Sequence, residues 1–151
     1  MRLHELWISN YKNLKDFRIN FDADSPITVI RPYLVDRLSW QEVLDRFGEP
    51  SGISTFGGRG PDIDSPVVFD VIVVYAEQGL VLYTDGLRHP PVLSPALRFD
   101  NISLYAAPLD DLGAVLPYFK LYPEHLRPWE GFQDFLYYCP VEDNPDCLAD
   151  N

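Results

Sequence analysis

The chain of 151 residues has the length of one ordinary domain, and its hydrophobic content of 46% is enough for a packed core. The formal net charge of −11 disfavours binding to nucleic acid or anionic membranes and favours a basic partner. No apolar run reaches the roughly 18–20 residues of a membrane span, and the opening segment has no signal-peptide pattern. We therefore expect a cytoplasmic protein with no membrane partner.

The charge is unevenly distributed along the chain, and prolines are frequent. Residues 1–37 carry six basic and five acidic residues, a balance of +1, whereas residues 38–151 carry six and eighteen, a balance of −12. The acidic part is also what a soluble, solvated surface requires. The 14 prolines, about twice the usual share, predict few and short helices joined by many loops.

The N-terminal segment reads as three short strands separated by polar turns, at Leu3–Asn10, Phe17–Phe21 and Ile27–Ile30. Residues 1–17, MRLHELWISNYKNLKDF, and residues 25–30, SPITVI, resemble the opening of ABC-type (SMC-like) ATPase heads of DNA repair, chromosome maintenance and bacterial defence systems. In that family the next strand leads into a phosphate-binding loop, G-x-x-x-x-G-K-[ST].

The resemblance to ATPase heads stops at Ile30. The next residues, RPYLVDRLS, contain neither the glycines that let the backbone surround phosphates nor the lysine that neutralises them, so we expect no nucleotide cofactor. Three strands alone are marginally stable. Residues 1–30 should therefore form an arm or an extension of the sheet that follows. They could also pair with a partner or with a second copy, which makes a homo-oligomer through these strands one alternative.

A capped helix is predicted at Ser39–Phe47. Ser39 and Glu42 form a capping-box pattern, and Gly48 followed by Pro50 ends the helix. Its apolar stripe has helical spacing and consists of Trp40, Val43, Leu44 and Phe47. We expect the stripe to pack on the hairpin described next, and we expect the Gly/Pro/Ser-rich stretch Ser51–Pro66 to be a loop.

The centre of the fold is predicted to be a β-hairpin. Val67–Tyr75 is too apolar for a strand with one face in water, and Gly79 supplies the turn before Leu80–Tyr83. A further strand is expected at Ile102–Ala106. The order of helix, Phe-Gly-Glu-Pro, loop, strand, Gly-Leu-Val-Leu-Tyr and strand resembles the small lipoprotein of the outer-membrane assembly machinery and some bacterial toxin-immunity proteins. This resemblance implies a fold and no site residues.

A short helix is predicted after the sheet at Pro108–Pro117, and a second short helix or a turn at Pro128–Leu136. Residues 139–151 read as an acidic, loop-like tail. Its two cysteines, Cys139 and Cys147, have no neighbouring histidine, and in a reducing compartment we expect free thiols.

The resulting fold class is α+β. We predict an antiparallel or mixed sheet centred on the Val67–Tyr83 hairpin, with the Ser39–Phe47 helix and two short C-terminal helices. The chain divides into residues 1–30 with ATPase-like strands, residues 31–138 as the α+β domain, and residues 139–151 as the tail.

No pattern in the sequence predicts catalytic, cofactor-binding or metal-binding residues. The three histidines lie in unrelated contexts and are expected at the surface. Asp70 stands out because it is a carboxylate within the most apolar strand. It should either face outward or be buried and paired, with Arg88 and Arg98 as candidates.

An unusually dense aromatic region follows the predicted sheet. Some of its rings must cover the sheet, and the remainder are candidates for an exposed protein interface, because Trp and Tyr beside Arg and acids are typical of such surfaces. The interface candidates are Tyr118, Tyr122, Trp129, Phe132 and Tyr137.

Three functions remain open from the sequence. The first is a non-enzymatic binding module that contacts a protein partner through its acidic and aromatic surface. The second is an immunity-type inhibitor of a basic toxin such as a nuclease, for which the charge of residues 38–151 would drive fast association. The third is a degenerate ATPase-derived protein that docks on a true ATPase through residues 1–30.

Overall fold

The computed structural model describes residues 29–30, 33–59, 64–105, 112 and 123–139. Its strands are β1 Val29–Ile30, β2 Tyr33–Ser39, β3 Gly52–Arg59, β4 Val67–Tyr75, β5 Leu80–Tyr83 and β6 Arg98–Tyr105. The helix α1 is Trp40–Phe47, and 3₁₀ turns lie at Pro123–His125 and Phe135–Tyr138. This confirms the α+β class.

All the described strands belong to one antiparallel sheet. Strands β3, β4, β5 and β6 follow one another as a meander, and β1 and β2 both pair with the far side of β6. β1 and the first residue of β2 share one register on β6, which shifts before Leu38. The two segments therefore occupy one position, and the sheet is five positions wide. Val29–Ile30, the end of a predicted N-terminal strand, is thus part of the sheet.

The central hairpin has the predicted bounds. Gly79 has a φ of 63° in the connecting turn, a backbone conformation that glycine adopts without strain. Along β4, alternate residues enter two different clusters, and Val71 to Tyr75 are buried without interruption. The strand is therefore buried on both faces over its second half, as its apolar sequence predicts.

The larger cluster covers one face of the sheet and contains the inward residues of α1. Its buried members are Trp40, Val43, Ile53, Val67, Phe69, Val71, Val73, Tyr75, Leu80, Leu82, Leu93, Phe99, Ile102, Phe135, Tyr138 and Cys139. The smaller cluster lies on the opposite face, with Ile72, Val74 and Val81 buried and Leu112 and Leu126 among the residues packed against them. From the C-terminal segment, Phe135, Tyr138 and Cys139 belong to the larger cluster, and Trp129 packs against it.

Helix α1 forms because its first turn is capped. The Ser39 backbone N–H donates to Glu42 Oε2 at 2.8 Å, and the Glu42 N–H donates to Ser39 Oγ at 3.3 Å. The hydrogen bond from the Ser39 hydroxyl holds the pKa of Glu42 below its usual value. At the other end Gly48, with φ of 75°, donates to the Leu44 carbonyl at 2.8 Å. The Phe47 ring packs against Tyr75 at 5.7 Å between centroids, so the helix lies on the hairpin as predicted.

Two sequence-based expectations are wrong. Gly52–Arg59, expected within a loop, is a strand whose eight residues all pair with β4, from Val74 back to Val67. Local composition favours a loop there, but pairing with the most apolar strand decides the conformation. For Pro128–Leu136 the helix alternative is wrong and the turn alternative fits: residues 128–134 have no regular helix, and a 3₁₀ turn lies at Phe135–Tyr138.

Several predicted elements fall on residues outside the described ranges. These are residues 1–28, residues 140–151 and the helix Pro108–Pro117 apart from Leu112, which is helical and packs on the smaller cluster. The strand predicted at Ile102–Ala106 begins earlier, at Arg98.

Candidate functional site

Exposed apolar side chains concentrate near the C-terminus of the described chain. Of the four large hydrophobic side chains that the described residues expose, three lie within six positions: Phe132 at 36%, Leu136 at 41% and Tyr137 at 46%. Half-buried Trp129 touches Phe132 with ring centroids 5.2 Å apart. We call Trp129, Phe132, Leu136 and Tyr137 the aromatic surface. The fourth exposed side chain, Val92, lies in another loop.

Trp40 supports the aromatic surface from below. This residue begins α1 and is completely buried. Its ring centroid lies 4.9 Å from that of Trp129 and 5.1 Å from that of Phe132, the latter in an edge-to-face arrangement at 83°. Such aromatic pairs contribute about 0.5–1.5 kcal/mol beyond their area burial. The helix cap at Ser39 therefore positions a ring on which the surface rests.

Tyr138 holds the loop that carries Trp129. Its ring is fully buried and stacks on Trp129 at 6.1 Å with an interplanar angle of 8°. Its hydroxyl accepts from the Glu130 N–H at 2.9 Å and donates to the Gly131 carbonyl at 2.7 Å. Gly131 has a φ of 85°, which favours glycine at this turn. Both backbone bonds and the stack restrict the loop to one conformation.

Tyr137, unlike its buried neighbour Tyr138, is exposed, and its hydroxyl is hydrogen-bonded to a carboxylate. Its hydroxyl donates to Glu130 Oε2. This hydrogen bond raises the pKa of Tyr137, because the carboxylate favours the protonated phenol, while nearby Arg127 has a weaker opposite effect. Asp134 precedes the 3₁₀ turn, is exposed, and makes no capping hydrogen bond with its side chain.

The segment below the surface is attached to the edge of the sheet. Ile53 and Arg127 exchange two backbone hydrogen bonds, each of 2.9 Å. The Thr55 hydroxyl donates to the Phe135 carbonyl at 2.7 Å, and the Phe135 ring meets Phe69 edge-on at 5.7 Å. The aromatic surface is thus built on a rigid support and not on a free tail.

Cys139 corrects the expectation of free thiols. It is 1% exposed, belongs to the larger cluster and is disulfide-bonded. The only other cysteine of the chain, Cys147, lies outside the described residues. Spacing in a polar tail gave no sign of the bond, because a disulfide framework is inferred from several cysteines and from a secretory context.

Part of the predicted interface is brought together. Trp129, Phe132 and Tyr137 all belong to the aromatic surface, whereas Tyr118 and Tyr122 lie outside the described residues. Leu136 is not among the predicted interface residues because that prediction rests on aromatic side chains. The prediction that Trp40 belongs to the core is correct. Its contact with Phe132 depends on how the loop of residues 129–134 folds back over the helix, and no local sequence pattern predicts that contact.

Asp70 is explained by structure. Its carboxylate accepts from the Gly86 N–H at 2.8 Å and from the Thr84 hydroxyl at 3.4 Å. Burial raises the pKa of Asp70, and Asp85 and Asp100 add to the effect. Within the described ranges no group of three His, Cys, Asp or Glu side chains is placed to hold a metal ion. The Asp70 carboxylate therefore stabilises the turn that follows β5.

Neither of the two described histidines belongs to a group of side chains placed to hold a metal ion. His89 is exposed as expected, but His125 is buried at 9% exposure, which corrects the surface assignment. It lies in the 3₁₀ turn that precedes the Arg127 backbone pairing. His4 lies outside the described residues.

The comparisons with known proteins leave the aromatic surface to be interpreted from its own residues. In the described part of the chain, no helix combines the length and the apolar character needed to cross a membrane. A scan against models of protein families, a search of curated proteins and a search of solved structures each find no match.

Proposed function

We propose that this protein is a non-enzymatic protein-binding module and that the aromatic surface is its binding site. The observation that carries the proposal is the concentration of Phe132, Leu136 and Tyr137 at the surface above a fixed set of buried rings. Exposed aromatic residues on a rigid support bind with little loss of conformational entropy and are enriched at interfaces.

The partner is proposed to be a basic protein. The balance of −12 in residues 38–151 would speed association with a positively charged surface and would oppose nucleic acid. An immunity-type inhibitor of a basic toxin is the specific version that this charge favours. Docking on a true ATPase and homo-oligomerisation through the N-terminal strands both depend on residues 1–28, which lie outside the described ranges.

A cytoplasmic location remains the sequence-based proposal, and the disulfide of Cys139 opposes it. Cytosolic thiols are kept reduced, so a stable disulfide favours an oxidising compartment. Trapping with a maleimide in intact producing cells decides between the two. Modification without prior reduction supports the cytoplasm, and protection until a reductant is added refutes it.

Site-specific photo-crosslinking in producing cells tests the binding proposal. A benzoylphenylalanine replaces Tyr137 in one variant and Val92 in a control, since both side chains are exposed and they lie in different loops. We expect a defined adduct from position 137 and not from position 92. The same adducts from both positions, or none from 137, would contradict the proposal.

A matched pair of substitutions then tests the contact with the captured protein after purification. Leu136→Ser should weaken binding about tenfold, as expected for loss of an interface anchor, whereas Val92→Ser should leave the Kd unchanged. Both replace an exposed apolar side chain, so both should preserve stability. Equal effects of the two substitutions would place the binding site elsewhere.

A further inference from the structure

The charges beside the aromatic surface indicate what it binds. Exposed Glu130 accepts from the Tyr137 hydroxyl, and exposed Asp134 accepts from the Tyr137 N–H through its backbone carbonyl, while Arg127 is a cation that acts on Tyr137. These three side chains sum to −1, within a chain of net charge −11. A cationic group that approaches Tyr137 therefore meets attraction from the site and from the rest of the chain.

The Tyr137–Glu130 pair provides a ring and a carboxylate in fixed relation. The hydroxyl of Tyr137 holds the Glu130 carboxylate at the rim of the ring. Buried Tyr138 packs against the same ring, with centroids 5.0 Å apart and an interplanar angle of 85°, and 46% of Tyr137 remains exposed. A cation over the exposed part of this ring gains a cation–π contact together with a nearby negative charge.

This arrangement favours arginine over lysine. A guanidinium group is planar, is weakly hydrated, stacks on aromatic faces and offers several N–H donors at once. One face can lie on the Tyr137 ring while its edge donates to a carboxylate, for which Glu130 and uncapped Asp134 are both available. The ammonium of lysine is a compact charge and cannot make both contacts in the same way.

We propose that the aromatic surface recognises an arginine side chain of a basic protein segment, with the guanidinium on Tyr137 and between the carboxylates of Glu130 and Asp134. This inference rests on the proposed function, because it names the chemistry of the partner at the same surface. It adds a residue preference that a general attraction between opposite charges does not give.

The test uses two labelled peptides and the full chain. Each has twelve residues with three cations separated by Gly and Ser, arginine in one and lysine in the other. Fluorescence anisotropy at low salt should show the arginine peptide bound about threefold more tightly. Equal affinities would show attraction by net charge alone and would overturn the inference.

Variants of the same surface locate the binding site. Glu130→Gln removes the charge while keeping an acceptor for Tyr137, and it should abolish most of the arginine preference. Tyr137→Phe keeps the ring but releases the Glu130 carboxylate, so it should retain only part of that preference, whereas Tyr137→Leu should lose it. Arg127→Ala removes a competing cation without affecting the backbone bonds of residue 127, so it should tighten binding. If these variants match Val92→Ser, the peptide binds elsewhere and the inference fails.

The two proposals fail in different ways. A crosslinked partner that Leu136→Ser releases, together with equal binding of the two peptides, would leave the protein-binding function standing and would overturn arginine recognition. Loss of both the crosslink and the peptide preference would overturn both proposals.

Discussion

Tyr138→Phe is expected to destabilise the fold and loosen the aromatic surface while leaving the ring stack in place. The substitution removes only the hydroxyl, which accepts from the Glu130 N–H and donates to the Gly131 carbonyl. A hydrogen bond of this kind contributes about 0.5–1.5 kcal/mol net, so the two together give about 1–3 kcal/mol. Because Glu130 is exposed, water can replace part of this, and we expect a loss of about 2 kcal/mol.

The assay is urea unfolding followed by tryptophan fluorescence, with Tyr137→Phe as the matched control. Tyr137 also loses one hydroxyl, but its hydrogen bond joins two exposed side chains, and we expect no measurable change in the free energy of unfolding. In thermal unfolding followed by the same fluorescence, the Tm should fall by about 4–8 °C for Tyr138→Phe. Equal effects of the two substitutions would refute the reasoning, since the loop would then not depend on the buried hydroxyl.

The remaining predictions concern the core, the cap and a buried charge. Val73→Ala, at a side chain with no exposure, should lower the free energy of unfolding by about 2–4 kcal/mol in urea titrations. Ser39→Ala should lower it by about 1 kcal/mol, because the cap of α1 is lost. Asp70→Asn keeps an acceptor for Gly86 and should raise the urea midpoint at pH 7. Since burial raises the pKa of Asp70, the folded state holds this proton more tightly, and the stability that protonation contributes is lost as the pH rises through the folded pKa. The advantage of Asp70→Asn should therefore vanish as the pH falls toward 3.8.

The elements that the sequence predicts well are those whose signals are local. The Val67–Tyr83 hairpin combines an apolar run with a glycine turn, and Gly79 has the positive φ that the turn requires. Helix α1 begins at a capping box and ends at Gly48. Both the hairpin and the helix can be predicted without knowing which strands lie beside them. This is why their predicted bounds agree with the structure to within a residue.

The edges of the sheet depend on partners that are distant in the chain. β2 is interrupted in its register, and its partner among the described strands is β6, more than 50 residues later, so its own sequence gives little indication of a strand. The aromatic surface has the same difficulty. Composition predicts aromatic residues at an interface, but only the fold determines that Tyr138 is buried beneath Trp129 while its neighbour Tyr137 is exposed.

Strand β3 provides the last prediction, because its glycines are the reason that it reads as a loop. Phe56 and Gly58 are two residues apart on the same face, and a Cβ at Gly58 would lie 2.6 Å from Cε1 of Phe56. Gly58 therefore leaves room for that ring, and Gly58→Ala should lower the free energy of unfolding by about 1–3 kcal/mol. Gly52→Ala is the control in the same strand, since its Cβ would make ordinary 3.5 Å contacts with Leu126 and should leave stability unchanged or raise it by about 0.4–1 kcal/mol. In a Phe56→Ala background the loss from Gly58→Ala should disappear, which a double-mutant cycle measures directly. A loss that persists without the ring would mean that Gly58 is needed for its backbone conformation, as in a loop, and that the strand is wrongly placed.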